Sequence, residues 1–123
     1  IIDIWLPDFK YGNDKCALRL SGIKRYVEVV TRNLRIAHEC GDMIIRHLVL
    51  PNHIDCCTDS ILEWISENAP RALVNIMGQY RPEYLVERYP DEWPDIARRP
   101  YSDELRRAFD LGRKYNICFE PVS

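Results

Sequence analysis

No stretch of the 123-residue sequence is apolar for the length that a helical membrane span requires, and no signal-peptide pattern opens it. A Gly-rich phosphate loop, a G-x-S-x-G elbow and an H-E-x-x-H pair are all missing, which removes the common nucleotide-binding, hydrolase and zincin readings. Charge of one sign is also lacking. Seventeen Lys and Arg face 19 Asp and Glu, and the net charge of −2 gives no electrostatic reason to expect nucleic acid or an anionic membrane as partner. Low-complexity tracts are absent, as are repeats beyond a β-α alternation. Five cysteines, odd in number and scattered, do not suit a disulfide framework. They read as reduced thiols in a cytoplasmic protein.

What is present fits one soluble α/β domain, with 46% hydrophobic and 29% charged residues. The apolar run at 1–6 predicts a buried strand, and the charged mouth that follows carries Asp8 and Lys10. A core strand opening a chain is unusual, so a preceding segment is expected to be missing. A turn at 11–14 and a short helix over 15–20 come next. A longer helix over 25–40 packs Tyr26, Val30, Leu34 and Ala37 on one face, with Gly41 expected as its left-handed terminator. Strands are predicted at 43–50 and 72–77, separated by a helix over 55–68 that Asp55 or Thr58 caps. The order is β-α-β-α-β, with crossovers long enough for parallel neighbours.

Residues 79–100 differ in character. Pro82, Pro90, Pro94 and Pro100 alternate with Tyr80, Tyr84, Tyr89 and Trp93, which marks either a working lid or a cover over the core. A last helix, capped by Ser102 and running to about residue 115, precedes a short strand at 117–119. Residues 1–80 thus supply the strands and helices of the sheet. Residues 81–123 supply a Pro/Tyr-rich loop and a terminal helix.

Ligands of parallel sheets gather at the carboxyl ends of the strands. The polar residues there are Asp8 and Lys10, then Arg46 and His47, then Asn75 with Gln79 and Tyr80. An Arg46 turned inward needs an anion. That anion is either Asp8 or Asp3 in a structural ion pair, or a bound carboxylate or phosphate. His47 fits a hydrogen-bonded core histidine better than a catalytic base. His47, His53, Cys56 and Cys57 have residue types that suit zinc, but adjacent cysteines depart from C-x2-C spacing, and a helix would turn two of the four away.

Three blocks, 2–10 (IDIWLPDFK), 45–51 (IRHLVLP) and 74–82 (VNIMGQYRP), occur in this order at suitable separations. Together they resemble the second half of a radical S-adenosylmethionine (SAM) enzyme of the pyruvate formate-lyase activating type. The resemblance implies a parallel half of a partial (β/α)6, TIM-like barrel with a C-terminal helix. It implies SAM lying across the strand ends beside a [4Fe-4S] cluster, and a glycyl-radical-type partner protein as substrate. It sets Lys10 and Arg46 toward the SAM carboxylate and Asp8 beside the ligand, while Gln79 or Tyr80 stands where those enzymes have a histidine. Lys10 and Arg46 are thereby expected on one pocket rim.

The sequence departs from that pattern in lacking both the C-x3-C-x2-C cluster motif and the glycine-rich SAM segment. The expectation is a fragment, the last three strands of the barrel, inactive without its amino-terminal half. A non-catalytic half-barrel that oligomerises through its open sheet edge is the alternative.

Overall fold

The computed structural model of the chain describes residues 4–122. Its frame is a four-stranded parallel sheet whose strands neighbour one another in sequence order. Strand β1 (Ile4–Trp5) is followed by helices α1 (Asp14–Ser21) and α2 (Tyr26–Cys40), then by β2 (Asp42–Leu48). Helix α3 (Asp59–Asn68) leads to β3 (Leu73–Met77). The short α4 (Tyr84–Arg88) and helix α5 (Ser102–Lys114) precede β4 (Cys118–Val122). The part of the first strand expected at residues 1–3 lies outside the described residues.

Strand alternation decides which face is covered. Met43, Ile45 and His47 of β2 are buried, as are Val74 and Ile76 of β3, and with Leu34, Ile61, Leu62 and Ile65 they belong to one core. Ile44 and Leu48 of β2, and Leu73, Asn75 and Met77 of β3, are only partly covered on the opposite face, and Arg46 there is exposed. A parallel sheet wound in sequence order puts its crossovers on one side, because each crossover has the same hand. The other face is thereby left open.

Several local expectations change. The final strand is longer than 117–119 and pairs in parallel with β3 from Leu73↔Cys118 to Met77↔Val122, so the sheet has four strands rather than three. Gly41 is extended (φ 172°), not left-handed, although its N–H still donates to the Ala37 carbonyl. Gly22 is left-handed (φ 66°) and terminates α1. Ser102 is the first helical residue of α5, not its cap; the preceding Tyr101 donates its N–H to the Glu104 carboxylate at 2.9 Å. Neither Asp55 nor Thr58 caps α3, because a single wide π-type turn, Ile54–Thr58, precedes the helix.

Segment 79–100 is not structureless. It holds α4 and a 3-10 turn, Pro94–Ile96. Ile96 is buried, Tyr80 Oη donates to its carbonyl at 2.8 Å, and Asn52 Nδ2 donates to the Asp95 carbonyl at 2.8 Å. This half of the segment covers the core. Helix α4 rests on it through the partly buried Val86 alone and turns Tyr84, 86% exposed, to solvent.

Candidate functional site

After β1 the chain continues alongside β2. Arg46 N–H donates to the Pro7 carbonyl and Phe9 N–H to the Arg46 carbonyl, both at 2.9 Å. This parallel bridge sets Asp8 opposite Arg46, and Arg46 Nε donates to Asp8 Oδ1 at 2.7 Å. Both side chains are about half exposed, at 47% and 45%, so the pair lies on the open face of the sheet rather than in a costly interior. Lys10 N–H donates to Tyr26 Oη at 2.7 Å, which fixes its backbone beside the same pair. Lys10 forms no ion pair among the described residues.

Asp8, Lys10 and Arg46 line one cavity of about 160 Å³ with Leu48 and Met77. A larger groove of about 620 Å³ adjoins it and shares Lys10, Leu48 and Met77. Gln79 and Tyr80 line that groove, not the small cavity. The expected residues therefore divide. Three meet at the strand ends, and Gln79 faces the neighbouring space.

His47 belongs to the core. Its Nδ1 lies 2.8 Å from the Phe9 carbonyl oxygen, an acceptor, so Nδ1 carries the proton. Nε2 then accepts from Thr58 Oγ1 at 2.8 Å. Complete burial pushes its pKa down to about 4, against the favourable pull of the Phe9 carbonyl. With both nitrogens engaged, His47 is neither a metal ligand nor a free catalytic base.

The sequence argues against a Cys/His cluster, because a helix would turn two of the four residues away, but the structure gathers one of different membership. Cys16 takes the place of His47, and the ligand atoms of Cys16, His53, Cys56 and Cys57 lie within 4.8 Å of one another. The π-type turn brings this about. Thr58 N–H reaches back to the His53 carbonyl at 3.2 Å, and the wide turn lets adjacent Cys56 and Cys57 hold their sulfurs 3.8 Å apart. Cys16 arrives on α1, whose start is capped by Asn13: its Oδ1 accepts from Cys16 N–H at 2.8 Å and its Nδ2 donates to the Cys56 carbonyl at 3.0 Å. Burial raises the pKa of both the Cys56 and Cys57 thiols. No spacing in the sequence announces Cys16, which stands 40 residues from Cys56.

The fold and site define a parallel α/β protein with a charged cavity at its strand ends. No family model and no solved structure matches it. Over 118 residues the chain is 48% identical to the uncharacterized protein MJ0674 of Methanocaldococcus jannaschii, a match covering 95% of this chain and 33% of that protein. The chain thus spans about a third of the length of the curated relative it matches. No helix among the described residues is long and apolar enough to cross a membrane.

Proposed function

We propose that this chain forms the carboxyl-terminal part of a radical SAM barrel of the glycyl-radical-activating type, and that Asp8, Lys10 and Arg46 receive the methionine end of SAM, with Gln79 beside them. The observation that carries the reading is the shared cavity of Asp8, Lys10 and Arg46 at the ends of neighbouring parallel strands. A sheet wound in sequence order with one open face is what a barrel segment requires, and this supports the architecture. The relative's greater length leaves room for the rest of such a barrel.

The donor set fits an amino-acid-shaped ligand. Lys10 and Arg46 supply two cations for a carboxylate, and Asp8 supplies an anion for an ammonium or sulfonium group. Asp8 also occupies Arg46 Nε, which orients the guanidinium and leaves its terminal nitrogens for the ligand. SAM, when bound beside a reduced iron–sulfur cluster, supplies an adenosyl radical that abstracts hydrogen, here from a glycine of a partner protein. The cluster itself does not fit this chain. None of the five cysteines stands in C-x3-C-x2-C spacing, and the Cys16 group is packed too tightly for a cube of four irons. Its ligands belong to another part of the enzyme.

Iron and sulfide reconstitution tests the division. The chain alone should take up no stoichiometric [4Fe-4S] cluster, and one that forms overturns the reading. In the longer protein, Lys10→Ala and Arg46→Ala should each weaken SAM binding about tenfold or more. Unchanged affinity in both removes the site assignment.

One observation favours an assembly role as the second reading. Ile4, Trp5 and Leu6 are 56%, 46% and 58% exposed, and an apolar groove of about 570 Å³ runs between Trp5, Leu6, Pro7 and helix α2. The barrel reading fills this groove with the preceding strand and helix. The assembly reading fills it with a second copy. Light scattering separates them, since a monodisperse monomer excludes self-assembly.

A further inference from the structure

We propose that Cys16, His53, Cys56 and Cys57 form a closed, four-coordinate zinc site that clips α1 to the turn between β2 and α3. A zinc ion with sulfur ligands at about 2.3 Å and tetrahedral angles holds its sulfurs about 3.8 Å apart, and nitrogen and sulfur about 3.5 Å apart. The chain holds its four ligand atoms within 4.8 Å of one another, and three separations lie close to these values. Cys16 and Cys56 sulfurs are 3.9 Å apart and those of Cys56 and Cys57 are 3.8 Å apart. His53 Nδ1 lies 3.7 Å from the Cys16 sulfur and 3.1 Å from that of Cys56.

The histidine is prepared for this role from behind. Its Nε2 lies 2.5 Å from Asp95 Oδ2, so Nε2 carries the proton and the Nδ1 lone pair faces the sulfurs. Arg19 in turn grips Asp95 with two bonds, Nη1 to Oδ2 at 2.7 Å and Nη2 to Oδ1 at 2.6 Å. A carboxylate behind a metal-binding imidazole, itself held by a further group, is the usual support of such a ligand. The Asn13 side chain spans the Cys16 and Cys56 backbones. His53 and Cys57 are buried, while Cys16 and Cys56 are partly covered.

The ligand set decides what the ion does. Three sulfurs and one imidazole fill a tetrahedron, leaving no position for water or substrate, so the site is structural. Binding replaces the three thiol protons, which pass to solvent, and no oxidant or reductant takes part. Through Asp95 the clip reaches the Pro94–Ile96 turn, so one ion joins α1, the turn after β2 and the cover segment.

Metal content decides the matter. Zinc added to the purified chain under reducing conditions should remain at about one equivalent after gel filtration. Cobalt in its place should give the intense visible bands of a tetrahedral thiolate complex. Cys16→Ser should lower zinc affinity more than tenfold, and Asp95→Asn, which keeps all four ligands, about 10–100-fold. Cys40→Ser and Cys118→Ser, outside the cluster, should change nothing.

Alkylation of the unmutated chain needs no variant to fold. Zinc should protect the partly covered Cys16 and Cys56 and leave the exposed Cys40 and Cys118 reactive. A six-coordinate cobalt spectrum, substoichiometric zinc, a Cys56–Cys57 disulfide after anaerobic purification, or protection that ignores zinc would each overturn the site.

Discussion

His53 Nε2 and Asp95 Oδ2 approach to 2.5 Å across 42 residues of sequence, joining the turn after β2 to the Pro-rich segment. The Arg19 guanidinium, aided by His53, holds the Asp95 carboxyl well below the usual carboxylate range, although partial burial opposes this. The carboxylate therefore stays charged at neutral pH and keeps accepting the His53 proton. An imidazole fixed in this way is costly to reorient, which is what a ligand needs.

Zinc should raise the melting temperature of the chain in proportion to the logarithm of its concentration. At a thousand times its dissociation constant the gain is about 4 kcal/mol. For a domain of this size each kcal/mol moves the transition by roughly 3–6 °C. Thermal scans with zinc, magnesium and chelator measure it, and equal midpoints in all three would remove the metal contribution.

Gly12→Ala should destabilise the fold by about 1–3 kcal/mol. A Cβ there would stand 2.7 Å from the Cys56 carbonyl oxygen and 2.9 Å from the Cys57 Cα, both backbone atoms with little room to yield. Gly22→Ala meets no neighbouring atom within 4 Å, but its φ of 66° strains it by a different route. Urea unfolding of Gly12→Ala with and without zinc shows whether the clash also costs metal affinity.

Acid should weaken the fold through His47. Its pKa falls from an ordinary 6.5 to about 4 on folding, so across that window the unfolded chain binds a proton that the folded chain refuses. Stability is thus complete above the upper value and is lost as pH drops toward the lower, by on the order of 3 kcal/mol. His47→Gln, which cannot charge, should flatten this part of the pH profile. An unchanged slope would assign the acid sensitivity elsewhere.

Arg46→Ala should separate binding from folding. The Arg46–Asp8 pair is half exposed, so its loss should cost less than about 1 kcal/mol in chemical denaturation. On the proposed SAM reading, the same change in the longer protein should impair SAM binding far more. Comparable losses in both measurements would make Arg46 a structural residue.

Strand periodicity and helix faces were legible in the sequence because they are local. Alternation at 43–48 follows from a two-residue repeat, and the buried row of Tyr26, Leu34 and Ala37 follows from a helical one. Asp8, Lys10 and Arg46 stood among the polar residues at the strand ends, where parallel sheets collect ligands, and the resemblance to the activating enzymes joined them in one site. The fourth strand was only half legible: Pro121 interrupts its apolar run, and its place is set by pairing with β3. Segment 79–100 read as a loop because prolines hide a short helix and a turn.

Sequence alone determined the alternation of strands and helices, the candidate charges at the strand ends and the absence of a cluster motif, all of which depend on neighbours along the chain. Tertiary structure alone decided that Arg46 faces open space, that His47 is spent inside the core and that Cys16 joins His53, Cys56 and Cys57. The reason is distance along the chain: a wide turn and an asparagine bridge bring together atoms tens of residues apart, and no local pattern records such a meeting.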